Sequence, residues 1–237
     1  MISYRFNEVA NEQNQIVEID ATIITESIGA SYHSGFGIQL PVTPDKIQNV
    51  TGISLKHGYI STSANNTEAG QSKAVIIAFD DAFDHLHAHG QGETGANTTQ
   101  GGHYSIPDTL RLVITLTEPV SPTLLGTPPF NPFIIINGNR NREVHLPDQP
   151  PTDKVDGSDF GTYDDNSKPS QGRYYRTTSN LPWAMNIAEK FDYPIEKTAI
   201  NTAYNNFINW AMSSGSTNAD WYKNLPGYRV ASKIYSH

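Results

Sequence analysis

The chain is predicted to fold as a mainly-β protein, a single-domain β-sandwich of jelly-roll-like form, with one amphipathic helix near the C-terminus packed on it. Three observations predict this. Short apolar runs alternate with polar residues at a period of two, as half-buried strands do. Glycine and proline, 18 and 15 of 237 residues, break these runs at close intervals. A stripe of apolar residues at helical spacing occurs once, late in the chain.

The elements follow in order. Val17, Ile19, Ala21 and Ile23 alternate with Glu18, Asp20 and Thr22, which gives a strand over 15–27 with one buried face. A polar turn at 11–15 joins it to a strand over 4–9, so the two form a hairpin. The run 36–40 is flanked by glycine and stopped by Pro41 and Pro44. Two short strand candidates lie at 52–55 and 59–62. Ala74-Val75-Ile76-Ile77-Ala78-Phe79 is apolar throughout and reads as a central strand. Leu110, Leu112, Ile114 and Leu116 share a face of a strand over 110–117. A last strand covers 133–137. The helix spans 198–213, with Ile200, Tyr204, Phe207 and either Trp210 or Ala211 on one stripe and Asn201, Asn205 and Asn209 opposite; Gly215 is its stop. Residues 227–231 are either a strand or a segment draped over the core. No repeat or linker divides residues 1–237.

Composition narrows the function classes. With 24 acidic and 16 basic residues the net charge is −8. Such a chain has no basic field for a phosphate backbone, which argues against nucleic acid as a partner and favours cations. There is no cysteine, so disulfides and thiolate metal sites are excluded. No apolar run reaches the ~20 residues of a membrane helix. The opening Met1-Ile2-Ser3-Tyr4-Arg5-Phe6 reads as a strand rather than a signal sequence.

Four groups of residues could carry chemistry. His87, His89 and Glu93 have the spacing H-x-H-x-x-x-E, which resembles the first metal motif of cupins, themselves double-sheet jelly rolls. The flanking sequence is glycine-rich, a glycine expected upstream is Asp81, and no second motif stands around His103. Asp156, Asp159, Asp164 and Asp165 place four carboxylates in a short stretch, which suits calcium or a solvated turn held by Asx hydrogen bonds. Asn137, Arg140, Arg142, Glu143, His145 and Asp148 read as ion pairs and amides fixing a proline-rich loop. Within them, His145 with Asp148 could be an acid–base pair, and Glu143 with Asp148 paired glycosidase carboxylates. Tyr163, Tyr174, Tyr175, Trp183 and Trp221 lie in loop-like surroundings. Aromatics beside carboxylates and amides are what a sugar-binding surface requires, and also what a loop-rich core uses to pack. No serine elbow and no cysteine nucleophile is present, so the reading leans against catalysis.

The stretches 131–137, 142–148, 181–187 and 192–196, with weaker agreement over 29–41, 69–81 and 220–222, make the chain similar to the LruC domain family, a bacterial domain of unknown function found in exported and envelope proteins. The resemblance covers most of the chain. It implies an extracellular or cell-envelope setting, and other domains of a longer exported protein as neighbours. In that family an acidic, aromatic Asp/Asn-rich motif usually precedes a segment like Ser3-Tyr4-Arg5-Phe6-Asn7; its absence leads to the expectation that residues 1–237 are an excised domain or that Met1 is an artificial start. The function expected is binding of a glycan or another envelope component, with calcium as the candidate cofactor. The alternatives are a metal-dependent cupin-like enzyme using His87, His89 and Glu93, and a purely structural domain.

Overall fold

The structure is a computed structural model that describes residues 1–86 and 94–237. Its strands form two four-stranded antiparallel sheets. The first has the order β1-β2-β6-β4, built from Ile2–Ala10, Ile16–Thr25, Thr109–Val120 and Ile47–Thr51. The second has the order β5-β3-β7-β8, built from Val75–Phe79, Gly35–Gln39, Asn131–Ile135 and Glu143–His145. The mainly-β sandwich read from the sequence is thus the observed architecture.

The hairpin β1–β2 closes through Asn11, whose Oδ1 accepts from the backbone N–H of Gln13 and Gln15. Ile19, Ala21 and Ile23 of β2 and Leu112, Ile114 and Leu116 of β6 share one core with Phe36, Ile38, Ile76 and Ala78 of the second sheet. The alternation in β2 slips once. The register shifts between Ile16 and Glu18, so Ile16 is buried in place of Val17. One extra residue in a bulge moves the side-chain phase in this way.

The second sheet is buried on both faces. Val75, Ile77, Phe133 and Ile135 point away from the main core and cluster with Leu55, Tyr59 and Ile60. The apolar run that read as a central strand is β5, an edge strand of its sheet. It is apolar throughout because the connector between β4 and β5 covers its outer face. Neither 52–55 nor 59–62 is a strand; they contribute the isolated bridges Ser54–Phe79 and Thr62–Glu68. The strand lies earlier, at β4, and Gly52 with φ of +86° turns the chain out of it.

The helix expected over 198–213 is two short pieces, α2 (Ile200–Ala203) and α3 (Phe207–Met212), following a single turn α1 (Pro122–Leu125) earlier in the chain. Tyr204 is extended, with φ −124° and ψ 110°, and bridges Arg229. Asparagine at 205 and 206 is a poor helix former, so pairing with the 228–230 segment outcompetes the helical turn. α3 does not pack on either sheet core. Phe207 and Ala211 join Ala203, Tyr204, Trp221 and Ile234 in a separate C-terminal cluster, with Trp210 half-buried against it. Hydrogen bonds tie this part to the sandwich, among them Tyr4 Oη to Asn186 Oδ1 at 3.0 Å and Tyr193 Oη to the Asn97 carbonyl at 2.8 Å.

Candidate functional site

The site grows from the outer face of β7 and β8. Gly37, Phe133 and His145 are cross-strand neighbours, one on each of β3, β7 and β8. A Cβ on Gly37 would lie 2.5 Å from Phe133 Cζ, so glycine there lets the ring lie flat on the sheet. His145 stacks on Phe133 at 4.7 Å, and Tyr175 stacks on His145 at 5.3 Å. The row of rings carries the sheet outward past its last strand.

A buried polar network lies against this row, with the Arg140 guanidinium 5.5 Å over the Phe133 ring. Arg140 donates to both carboxylate oxygens of Glu68 and to Glu143 Oε1. Glu143 Oε2 meets His145 Nε2 at 2.8 Å and accepts from the Thr152 N–H at 3.0 Å. Gln71 Nε2 donates to Glu68 Oε2 at 2.7 Å. Asn131 must donate through Nδ2, because its partners there are the Pro150 carbonyl and Gln39 Oε1. Its Oδ1 therefore faces His145 Nδ1, at 2.7 Å, so both ring nitrogens face acceptor oxygens and each donates. Burial pushes the His145 pKa down, against the pull of the Glu143 carboxylate. Burial also opposes ionisation of Glu143, but His145, Arg140 and Thr152 outweigh it and hold its pKa at about 2, below the ordinary 4.5.

That depression links stability to pH. A carboxyl group that ionises more readily folded than unfolded adds stability above pH 4.5, and this is lost as pH falls toward 2. The shift corresponds to about 3 kcal/mol. Urea melts from pH 7 down to 2 should show that loss in the native chain. The Glu143→Gln variant should start less stable and lose less over the acid limb; parallel limbs would refute the assignment.

Above the network the chain builds an open groove of about 300 Å³ beside edge strand β8. Arg142, Glu143, Asp156, Asp159, Asp165 and Tyr175 line it, with Tyr163 and Trp183 also on its walls. Trp183 is 48 % exposed, and Tyr163 is fully exposed on a left-handed backbone of φ +51°. The indole is held in place, since Trp183 Nε1 donates to Asp165 Oδ1 at 2.9 Å. Asp165 is fixed in turn by the backbone N–H groups of Gly161 and Ser167 and by Ser167 Oγ. Arg142 pairs with Asp159, Nε to Oδ2 at 3.0 Å. Asp156 accepts from the Ser158 N–H and caps the 3-10 turn Gly157–Asp159. Tyr175 is buried, and among the described residues its hydroxyl has no hydrogen-bond partner. Burial pushes its phenol pKa up, so the hydroxyl stays neutral.

The residues singled out in the sequence divide between these two layers and the rim. Arg140 and His145 belong wholly to the buried network, and Glu143 joins it to the groove. His145 does not pair with Asp148. Asp148 instead binds Arg176 Nη2 at 2.5 Å, and His145 pairs with Glu143, which also binds Arg140, so the expected acid–base pair of His145 with Asp148 is not formed. Asn137 turns back to the first residues before β3, its Oδ1 accepting from the His33 N–H at 3.2 Å. Tyr174 is half-buried edge-on to Phe160 at 5.7 Å. Asp164 is exposed and outside the groove lining. Asp156, Asp159, Asp164 and Asp165 do not form a cluster of converging ligand atoms; among the described residues the side chains close enough together to hold an ion are His57, Asp80 and Asp84. His87, His89 and Glu93 lie outside the described residues. Sequence reasoning missed Glu68, Gln71 and Thr152 in the network. Only the long-range pairing of sheet and loop brings them together.

Fold and site define a β-sandwich module whose loops raise a groove over a saturated, buried polar layer. The chain belongs to the family described as Domain of unknown function (DUF4842), whose model matches residues 14–222. Its fold is similar to a crystal structure described as "a Putative lipoprotein from Bacteroides ovatus", with a TM-score of 0.66 and 17 % identity over 99 % of this chain and 69 % of that one. No curated protein matches. Among the described residues no helix is long and apolar enough to cross a membrane.

Proposed function

We propose that the protein is a non-catalytic binding module of the bacterial cell envelope whose groove beside β8 takes a carbohydrate. The observation that carries this is the exposed, fixed indole of Trp183 over a groove lined by carboxylates. A sugar ring offers an apolar face to an indole and hydroxyls to carboxylates and amides. The envelope setting is supported by the resemblance to the LruC family and by the likeness in fold to the protein described as a lipoprotein. Asp156, Asp159 and Asp165 hold backbone N–H groups, Arg142 or Trp183, and melts with added calcium decide whether calcium assists. A purely structural domain is the competing reading, and the saturation of the Arg140 network favours it for the buried layer alone.

A glycan array followed by calorimetry tests the proposal. Trp183→Ala should weaken the best ligand roughly fivefold or more, on the scale of the ~1–3 kcal/mol that stacking on an aromatic side chain is worth to a nucleobase, and Tyr163→Ala should weaken it less. Added calcium should change neither affinity nor melting temperature. A rise in melting temperature with calcium that disappears in Asp164→Ala and Asp165→Ala would reinstate a calcium-assisted site. An array without hits, or hits indifferent to both aromatic substitutions, would leave the structural reading.

A further inference from the structure

A second cluster stands at one end of the second sheet, built from three separate loops. β3 begins where β5 ends, since Phe36 pairs with Phe79. His33 therefore comes up beside Asp80 and Asp81, which follow β5, and beside Asp84 in the 3-10 turn Ala82–Asp84. The Ser54–Phe79 bridge lays the connector after β4 along the same end. The Asp80 carboxylate accepts from the backbone N–H of Lys56 and of His57, the latter at 2.7 Å. These bonds fix the loop that carries the His57 ring.

The side chains converge on one point. His57 Nε2 lies 3.1 Å from Asp84 Oδ2 and 3.5 Å from Asp81 Oδ2. One ligand atom each of His57, Asp80 and Asp84 lies within 4.8 Å of the other two. Asp81 Oδ2 is held by His33 Nδ1 at 2.6 Å, while its Oδ1 accepts from the Phe83 N–H. In a tetrahedral zinc centre with bonds near 2.0–2.1 Å, neighbouring ligand atoms are about 3.3 Å apart. The His57–Asp84 distance lies near that edge. Charge points the same way. Asp80 and Asp81 are buried, 1 % and 4 % exposed, and buried carboxylates need positive partners. Among the described residues the only permanent cation paired with the three aspartates is Lys56, whose Nζ is 3.6 Å from Asp84 Oδ2.

We propose that His57, Asp84 and Asp80, with Asp81 oriented by His33, bind one divalent transition-metal ion of the zinc class. The imidazole ligand selects zinc over calcium, which takes oxygen alone. The site is independent of the groove, lies on other loops, and stands whether or not a carbohydrate binds.

The experiment is zinc titration of untagged protein by calorimetry, with thermal melts in parallel. One zinc per chain and a raised melting temperature are expected. His57→Ala and Asp84→Asn should each weaken binding at least about tenfold. His57 is exposed, so its variant should keep the native far-UV spectrum. A double His87→Ala, His89→Ala variant is the control for the histidine-rich segment and should bind zinc as the native chain does. The proposal is overturned by an absence of saturable binding, by binding indifferent to His57→Ala and Asp84→Asn, or by binding lost in the control variant.

Discussion

Arg140→Met is expected to cost roughly 3–5 kcal/mol, because it leaves two buried carboxylates facing each other without their cation. For a chain of this length that is a fall in melting temperature of about 10 °C. Arg140 is 8 % exposed and engages both Glu68 and Glu143. Water cannot replace it, since both carboxylate side chains are fully covered. Lys154 Nζ, 3.3 Å from Glu68 Oε1, can compensate one carboxylate in part but does not reach Glu143. The loss should be smaller at low pH, where the stranded carboxylates take up protons. Thermal and urea melts at pH 7 and pH 4 check both statements. A change of less than about 2 °C at pH 7, under 1 kcal/mol on the same scale, would mean that Arg140 is not the keystone of this layer.

The same network shows where sequence reading stops. Apolar alternation made β2 and β6 legible, the polar turn before β2 made β1 legible, and short apolar runs bounded by glycine or proline did so for β3, β5 and β7, because all of these signals are local. β8 was not legible as a strand. It is Glu-Val-His, and the two residues that face inward, Glu143 and His145, are polar. The arginine and acids at 140–148 announced ion pairs, which is what the structure holds. The sequence did not say that Arg140 binds inward and Arg142 outward. Glu68, 72 positions away from Arg140, has no local mark at all. Tyr174 and Tyr175 make the point at closest range. They are adjacent, yet only Tyr175 is buried, on a left-handed backbone of φ +54° that turns its ring onto His145. Trp183 and Trp221 read alike in sequence, yet one is a fixed surface platform and the other a core residue.

Trp221→Ala should have the second large effect, about 3–5 kcal/mol, and it should fall on the C-terminal part of the chain. Trp221 is 1 % exposed and lies at the centre of five rings. Its neighbours are Phe207 at 5.0 Å, Tyr204 at 5.2 Å, Trp210 at 5.3 Å, Phe191 at 5.7 Å and Tyr222 at 5.9 Å. Several of these contacts are edge-to-face, a geometry that adds about 0.5–1.5 kcal/mol beyond area burial. α2 and α3, four and six residues long, are too short to persist without such packing, so removing the hub should unravel both. The sandwich core shares no buried residue with this cluster and should keep its strands. The expected result is therefore loss of the near-ultraviolet aromatic signal at a lower temperature than loss of the far-ultraviolet strand signal. In the native chain the two transitions should lie closer together. Coincident transitions in the variant, shifted by less than about 2 °C, would show that the aromatic cluster does not hold the C-terminal segment in place.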